Sequence, residues 1–290
     1  TWPRQSFQLF PILARLTAET SRVRINAGVV LLSLHKPLDI AEQLATIDIM
    51  SGGRLIFGAA LGYRDVEFKA FGTNQKERVQ RFEENLTAIK RLWTEDEVTH
   101  HGRFFDVSNA RPTARTYQKP HPKIWLAAMS DPAVRRVGRE GHTLFIGPAQ
   151  SYEVTKRHID IYREELDRNG HPPPEDIVLL REFFCANSRT EALEKASAGF
   201  QRKYEVYGAH GFQGSNDELA DIVTGDIETQ TDSAFVIGSP QDCIEELARY
   251  RDLGVTQVAM RLYYPGMSQK ETHEHIELVG REVLPELHRW

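Results

Sequence analysis

Short apolar runs rich in β-branched residues alternate along this chain with longer stretches whose apolar residues recur every three or four positions. The first pattern predicts buried strands and the second amphipathic helices. Residues 5–20 place Phe7, Phe10, Leu13, Leu16 and Ala18 near helical spacing, and the run from Val23 to Leu31 reads as a strand. A helix follows from Asp39 to Met50, with Ile40, Leu44, Ile47 and Met50 on one face and Ser51-Gly52-Gly53 as its stop. Further strands are predicted over 54–60, 123–128, 143–147, 177–186 and 257–262. Helices are predicted over 78–94, 151–168 and 270–288, from Thr190, and where Ser130-Asp131-Pro132 and Gly238-Ser239-Pro240 open the chain into new periodic stretches.

Strand and helix in strict alternation predict a parallel sheet covered by helices. The six predicted strands fall two short of a closed (β/α)8 TIM barrel, and the chain begins on a helix. The expectation is therefore an α/β barrel in one domain spanning residues 1–290, without its first strand–helix–strand segment. An open, doubly wound six-stranded sheet is the alternative. Residues 200–236 break the rhythm with several glycines and polar residues, and a connection that long is expected to be an insertion or lid.

Composition narrows the classes of function. The formal net charge is -5, with 40% hydrophobic and 27% charged residues. Lysines and arginines are interspersed with acids, which leaves no nucleic-acid footprint. No apolar run is long enough to span a bilayer and no secretory signal is visible. Two distant cysteines, Cys185 and Cys243, make no disulfide framework, so a cytoplasmic, reducing compartment is expected.

Candidate chemistry gathers where strands end. Gly58-Ala59-Ala60-Leu61-Gly62-Tyr63 leaves a strand through glycines that permit close approach to the backbone, although it lacks the spacing of a dinucleotide fingerprint. Ser130-Asp131-Pro132 follows a strand and opens a helix, which is either a phosphate site or a plain N-cap. His35 lies just past one strand and Arg261 at the end of the last, the end where barrel enzymes keep catalytic groups. His100-His101 falls in a polar turn and His273-Glu274-His275 on an exposed helix. Neither pair has metal-site spacing, and no Ser-His-Asp or Cys-His arrangement stands out.

Several segments together are similar to the bacterial luciferase-like monooxygenase family. They include Pro37-Leu38 with Ala41-Glu42-Gln43, Thr46 through Arg54, Phe57-Gly58 to Gly62-Tyr63, Arg81-Phe82-Glu83-Glu84 and Leu92-Trp93-Thr94. Gly102-Arg103-Phe104-Phe105, Pro122-Lys123-Ile124-Trp125, Gly238-Ser239-Pro240 and Val283-Leu284-Pro285 carry the likeness to the C-terminus. The resemblance implies an eight-stranded barrel, usually dimeric, that binds reduced FMN or, in one branch, the deazaflavin coenzyme F420. FMN members typically receive reduced flavin from a separate flavin reductase and oxygenate a small organic substrate.

By position, the resemblance aligns Gly28-Val29 with a strand end where the family often has a non-prolyl cis peptide beneath the flavin ring. Ser130 matches a phosphate contact, and Ala60 and Tyr63 flank the loop beside the cofactor. Gly28, Val29, Ala60, Tyr63 and Ser130 are thus the expected cofactor contacts, and His35 and Arg261 the expected catalytic groups. Two departures stand out. Leu61 occupies the position of a phosphate-binding arginine, and Asp131 brings a negative charge beside the implied phosphate. The implied function is an FMN-dependent monooxygenase, with a homodimer and a flavin reductase as partners. A deazaflavin-dependent hydride-transfer enzyme and a non-catalytic flavin-binding subunit are the alternatives.

Overall fold

The computed structural model describes residues 7–209, 227–228 and 234–290. The chain divides between Ala127 and Ala128 into two compact units.

In the first unit, helix α1 (Leu9–Glu19) leads to strand β1 (Ile25–Leu31), helix α2 (Pro37–Met50) and strand β2 (Leu55–Ala60). Helices α3 (Asp65–Ala70) and α4 (Arg78–Thr94) follow, then a hairpin of β3 (Val98–His101) and β4 (Asp106–Ala110), and finally β5 (Lys123–Ala128). β2 lies between β1 and β5, parallel to both. α2 begins with Pro37 in its first turn, where a missing N–H removes no helical bond. Its buried stripe is Ile40, Ala41, Leu44, Ala45 and Ile47, and Gly52 and Gly53 end it with positive φ of 64° and 81°. Trp93 on α4 is buried and donates its indole N–H to the Ala41 carbonyl (3.0 Å), which fixes α4 on α2. The Arg54 guanidinium reaches the Thr17, Thr20 and Val23 carbonyls at 3.1, 2.9 and 2.9 Å, fastening the end of α1 beside β2.

In the second unit, helix α5 (Asp131–Arg139), strand β6 (Thr143–Ile146) and helix α6 (Tyr152–Arg168) precede strand β7 (Ile177–Cys185) and helix α7 (Arg189–Ala209). Strand β8 (Val236–Gly238), helix α8 (Pro240–Asp252), strand β9 (Gln257–Arg261) and helix α9 (Gln269–Leu278) complete it, with a π turn over Val279–Val283 and a last helical turn α10 (Leu284–Leu287). β7 is central and pairs in parallel with β6, β8 and β9. Its side chains alternate between two cores. Phe184 packs with Phe200, Tyr204, Phe235 and Tyr264, while Phe183 and Cys185 pack with Val236, Cys243, Leu247 and Val283. Fully burying each such large apolar side chain contributes roughly 1.5–3 kcal/mol. α5 crosses α6 at Gly138, where a Cβ would sit 2.7 Å from the Glu165 Cβ and 2.8 Å from the Tyr162 carbonyl oxygen.

The alternation of strand and helix is as the sequence predicts, with several corrections. β8 ends on Gly238 and leads directly into Ser239-Pro240, where the sequence pattern predicts no strand, and Ser239 with Asp242 forms a capping box there. His100 and His101 lie on the strand of a hairpin, with His101 Nδ1 2.9 Å from Asp106. α3, six residues long, was not predicted. His275 is buried rather than exposed. The expected lid begins inside α7, which continues to Ala209, and its remainder over 210–226 and 229–233 lies outside the described residues. No helix among the described residues is long and apolar enough to cross a membrane.

Candidate active site

In the first unit the β1–β2 ladder skips a residue between Ala27 and Val30. Ala27 pairs with Phe57 and Val30 with Ala59, so Gly28 and Val29 together oppose Gly58. This is a β-bulge, and the Gly28–Val29 peptide within it is cis. Gly58 is required there because a Cβ would lie 2.7 Å from the Ala27 carbonyl oxygen and 3.2 Å from the Gly28 Cα. Gly28 is exposed, so bare backbone forms the surface at this point. The Asn26 amide lies against both glycines, and its Oδ1 is buried without a hydrogen-bond partner among the described residues. An orphaned acceptor costs about 1–3 kcal/mol, so the bulge carries a polar atom that the chain itself leaves unsatisfied.

Beyond the paired ends, Leu31 faces Ala60 and β2 exits through Gly62 (φ 77°), which packs against Phe68 and Leu31. Tyr63 is half-buried, and its carbonyl accepts from the Gln75 side chain at 2.5 Å. His35 lies on the turn after β1. Asn85 of α4 donates to the Leu32 and His35 carbonyls, both at 3.0 Å, and so holds that turn in place. The His35 ring meets Phe71 edge-on at 5.4 Å. Burial pushes its pKa below the ordinary value, with Asp39 partly opposing the shift, so the ring is neutral and able to accept a proton. The structure thus places Gly28 and Val29 in the middle of β1 opposite Gly58, rather than at the expected strand end, Ala60 at the end of β2 opposite Leu31, and His35 and Tyr63 on the turns that leave these strands.

In the second unit Ser130 is the N-cap of α5, is exposed, and makes no side-chain cap bond. Its hydroxyl and the positive end of the helix remain available to an anion. Asp131 is turned away into an ion pair. Its Oδ1 lies 3.1 Å from His158 Nε2 and 3.4 Å from Arg157 Nε.

Arg261 ends β9 against Glu182 of β7, which is fully buried. Glu182 accepts from Lys203 at both oxygens (2.6 Å each), from Arg261 Nη1 (2.7 Å) and from the Tyr204 hydroxyl (3.0 Å), and its Oε2 lies 3.0 Å from the Tyr264 hydroxyl. Burial favours the neutral acid, but the charges of Lys203 and Arg261 prevail and hold the Glu182 carboxyl below its ordinary range. Burial and the Glu182 charge push both tyrosines well above theirs, so they remain neutral.

Glu182, Lys203, Tyr204, Tyr264 and Asn26 were absent from the sequence-based candidates. For Glu182 a signal existed, since Arg181-Glu182 interrupts an otherwise apolar strand, Ile-Val-Leu-Leu-Arg-Glu-Phe-Phe-Cys. Arg181 is also fully buried, donating to the Gly147 carbonyl (3.1 Å) and Thr155 Oγ1 (2.9 Å) beneath the β6–α6 loop.

Comparison with known proteins identifies the family and the fold. A family model described as luciferase-like monooxygenase matches residues 2–257. The chain is 27% identical over 287 residues to the FMNH2-dependent dimethylsulfone monooxygenase of Pseudomonas putida, covering 93% of this chain and 76% of that protein. It is 27% identical over 293 residues to the F420-dependent glucose-6-phosphate dehydrogenase of Microbacterium testaceum, covering 96% and 82%. Among solved structures, the monooxygenase RslO1 from Streptomyces bottropensis superposes with a TM-score of 0.83 at 25% identity, covering 98% of this chain and 83% of that one. The fold is thus the α/β fold of the luciferase-like barrel enzymes.

Proposed function

Because the chain belongs to the luciferase-like monooxygenase family, we propose that it is a flavin-dependent monooxygenase that uses reduced FMN and dioxygen to oxygenate a small organic substrate. The observation that carries this reading is the β1 bulge, where exposed Gly28 bares the backbone beside the orphaned Asn26 Oδ1. A flat ring suits such a surface, since bare backbone admits close contact. Gly28, Val29, Ala60 and Tyr63 are then proposed cofactor contacts, and Ser130, with Asp131 paired to His158, a proposed phosphate contact. The bound flavin supplies the redox chemistry. His35 accepts or holds a proton, and Arg261 orients a polar group. The proposal includes a single barrel domain over residues 1–290, a homodimer and a flavin reductase as the source of reduced cofactor. The likeness to an F420-dependent dehydrogenase supports a second reading, hydride transfer with a deazaflavin.

Anaerobic titration of the chain with reduced FMN and reduced deazaflavin, followed by admission of oxygen, tests both readings. Tighter binding of FMN, with reoxidation much slower than that of free flavin, is the expected result. Preference for the deazaflavin, or reoxidation at the free rate, overturns the monooxygenase reading. Ser130→Ala is expected to weaken FMN binding about tenfold, the loss of one hydrogen bond to a charged group. Unchanged affinity removes Ser130 from the phosphate site.

A further inference from the structure

Arg261 is held more firmly than a stabilising ion pair requires, and only part of it is used. Nη1 alone meets Glu182 (2.7 Å), with the Tyr207 hydroxyl 3.4 Å away. The Arg261 carbonyl lies 2.7 Å from the Tyr264 hydroxyl, which also accepts the Phe183 N–H at 2.8 Å. Main chain and side chain are therefore both fixed from β7. Nε and Nη2, the parallel pair of donors along the other edge of the guanidinium, make no protein hydrogen bond among the described residues, and the side chain is 33% exposed. Neither atom is an enclosed orphan, in contrast to Arg181 Nε. That edge is open.

Electrostatics points the same way. Lys203 already meets both oxygens of Glu182, so the carboxylate divides its charge between two cations and does not neutralise Arg261 alone. Burial opposes the arginine's charge, but Glu182 outweighs it and pushes the pKa above the ordinary value, so the guanidinium stays cationic. A rigid, cationic fork with two free parallel N–H groups is complementary to the paired oxygens of a carboxylate, sulfonate or phosphoryl group. Its orientation is set before any ligand arrives, which lowers the ordering cost of binding.

We propose that Arg261, positioned by Glu182, is an oxyanion-recognition group and that the organic substrate of this chain carries such a group. The identification of that anion as substrate rests on the function proposed above. Glu182, Lys203, Tyr204 and Tyr264 act as positioning residues behind it.

The test is calorimetric titration of the flavin-loaded full chain, at fixed ionic strength, with benzoate, benzenesulfonate and the neutral isostere benzamide. The expected result is binding of at least one anion about tenfold or more tighter than benzamide. Arg261→Gln is expected to abolish that preference, and Arg261→Lys, which keeps a cation for Glu182 but loses the fork, to weaken it in part. FMN affinity is expected to stay within about twofold in both variants. Equal affinity for benzamide, no binding of either anion, or an unchanged preference in a folded Arg261→Lys protein overturns the proposal. Loss of FMN binding without loss of anion preference also overturns it, because Arg261 then serves the cofactor. Failure of the unsubstituted chain to bind flavin overturns the proposed function instead, and the anion titrations on the flavin-free chain still decide whether Arg261 recognises oxyanions.

Discussion

Two of the places where this chain sets polar groups among its strands, Glu182 and Asn26, treat them in opposite ways. Around Glu182 every oxygen is used, with Lys203 reaching both and Arg261, Tyr204 and Tyr264 completing the shell. Around Gly28 and Gly58 the Asn26 Oδ1 is enclosed and has nothing to accept from. A carboxylate in the interior is tolerated only when its partners are in place, whereas a neutral amide oxygen can be left unpaired at about 1–3 kcal/mol. The saturated cluster fixes geometry, and the bulge tolerates an enclosed, unpaired oxygen beside exposed backbone. The contrast teaches where each kind of work is done: orientation of a side chain at Glu182, exposure of bare backbone at Gly28.

Substitution at the two centres sharpens this difference. Glu182→Gln leaves Lys203 and Arg261 without their shared carboxylate and is expected to destabilise the fold by about 3–5 kcal/mol, read from urea denaturation. Asn26→Leu removes an atom that had no partner and is expected to cost less than about 1 kcal/mol in the same experiment. Comparable losses at both positions would erase the comparison. Gly58→Ala comes next in size. The added Cβ meets backbone at 2.7 Å, which cannot swing aside, so overpacking is expected to cost about 1–3 kcal/mol and to disturb the bulge. Its flavin affinity, followed by fluorescence titration, is expected to fall with stability. A Gly58→Ala protein that binds FMN like the parent would place the cofactor elsewhere.

The long periodic elements were legible in the sequence and the short or tertiary ones were not. α4 and α6 run over several turns, so their apolar stripes fixed their ends to within a residue, at Arg78–Thr94 and Tyr152–Arg168. β8 spans only Val236–Gly238, too short for any period to show. Lys203 lies on the buried face of α7, in line with Ala192, Ala196 and Phe200, and a lysine in such a stripe reads as solvated until its carboxylate is known. That carboxylate is on β7 and its other cation on β9, a conjunction that only the tertiary fold supplies. The cis peptide at Gly28-Val29 was legible only through family resemblance, and the bulge that holds it was not legible at all, because no local pattern of residues marks a skipped register.

His275 offers the smallest effect, and it probes a third way of holding a buried polar group. Its flanking residues, Glu274 and Glu277 among them, made its helix look exposed, yet the ring stacks on Phe184 at 4.5 Å. Nε2 accepts the Cys185 N–H at 2.9 Å, so Nδ1 carries the proton and donates it to the Leu262 carbonyl at 3.0 Å. Both nitrogens are committed to the neutral ring, and burial pushes the pKa below 6.5, with the Leu262 carbonyl partly opposing the shift. His35 is shifted in the same direction. A base whose folded pKa is depressed leaves stability undiminished above its unfolded value. As pH falls below about 6.5 the unfolded chain gains protons that the fold refuses, so stability declines until the folded pKa is reached. Glu182, depressed from 4.5, acts in a lower window and stays charged throughout this one. Urea midpoints are therefore expected to fall between about pH 7 and pH 5.5, and His275→Gln, which keeps an acceptor for Cys185 but does not titrate, to flatten part of that fall. A midpoint that does not change across this range would mean that the buried rings take up protons as readily as exposed ones.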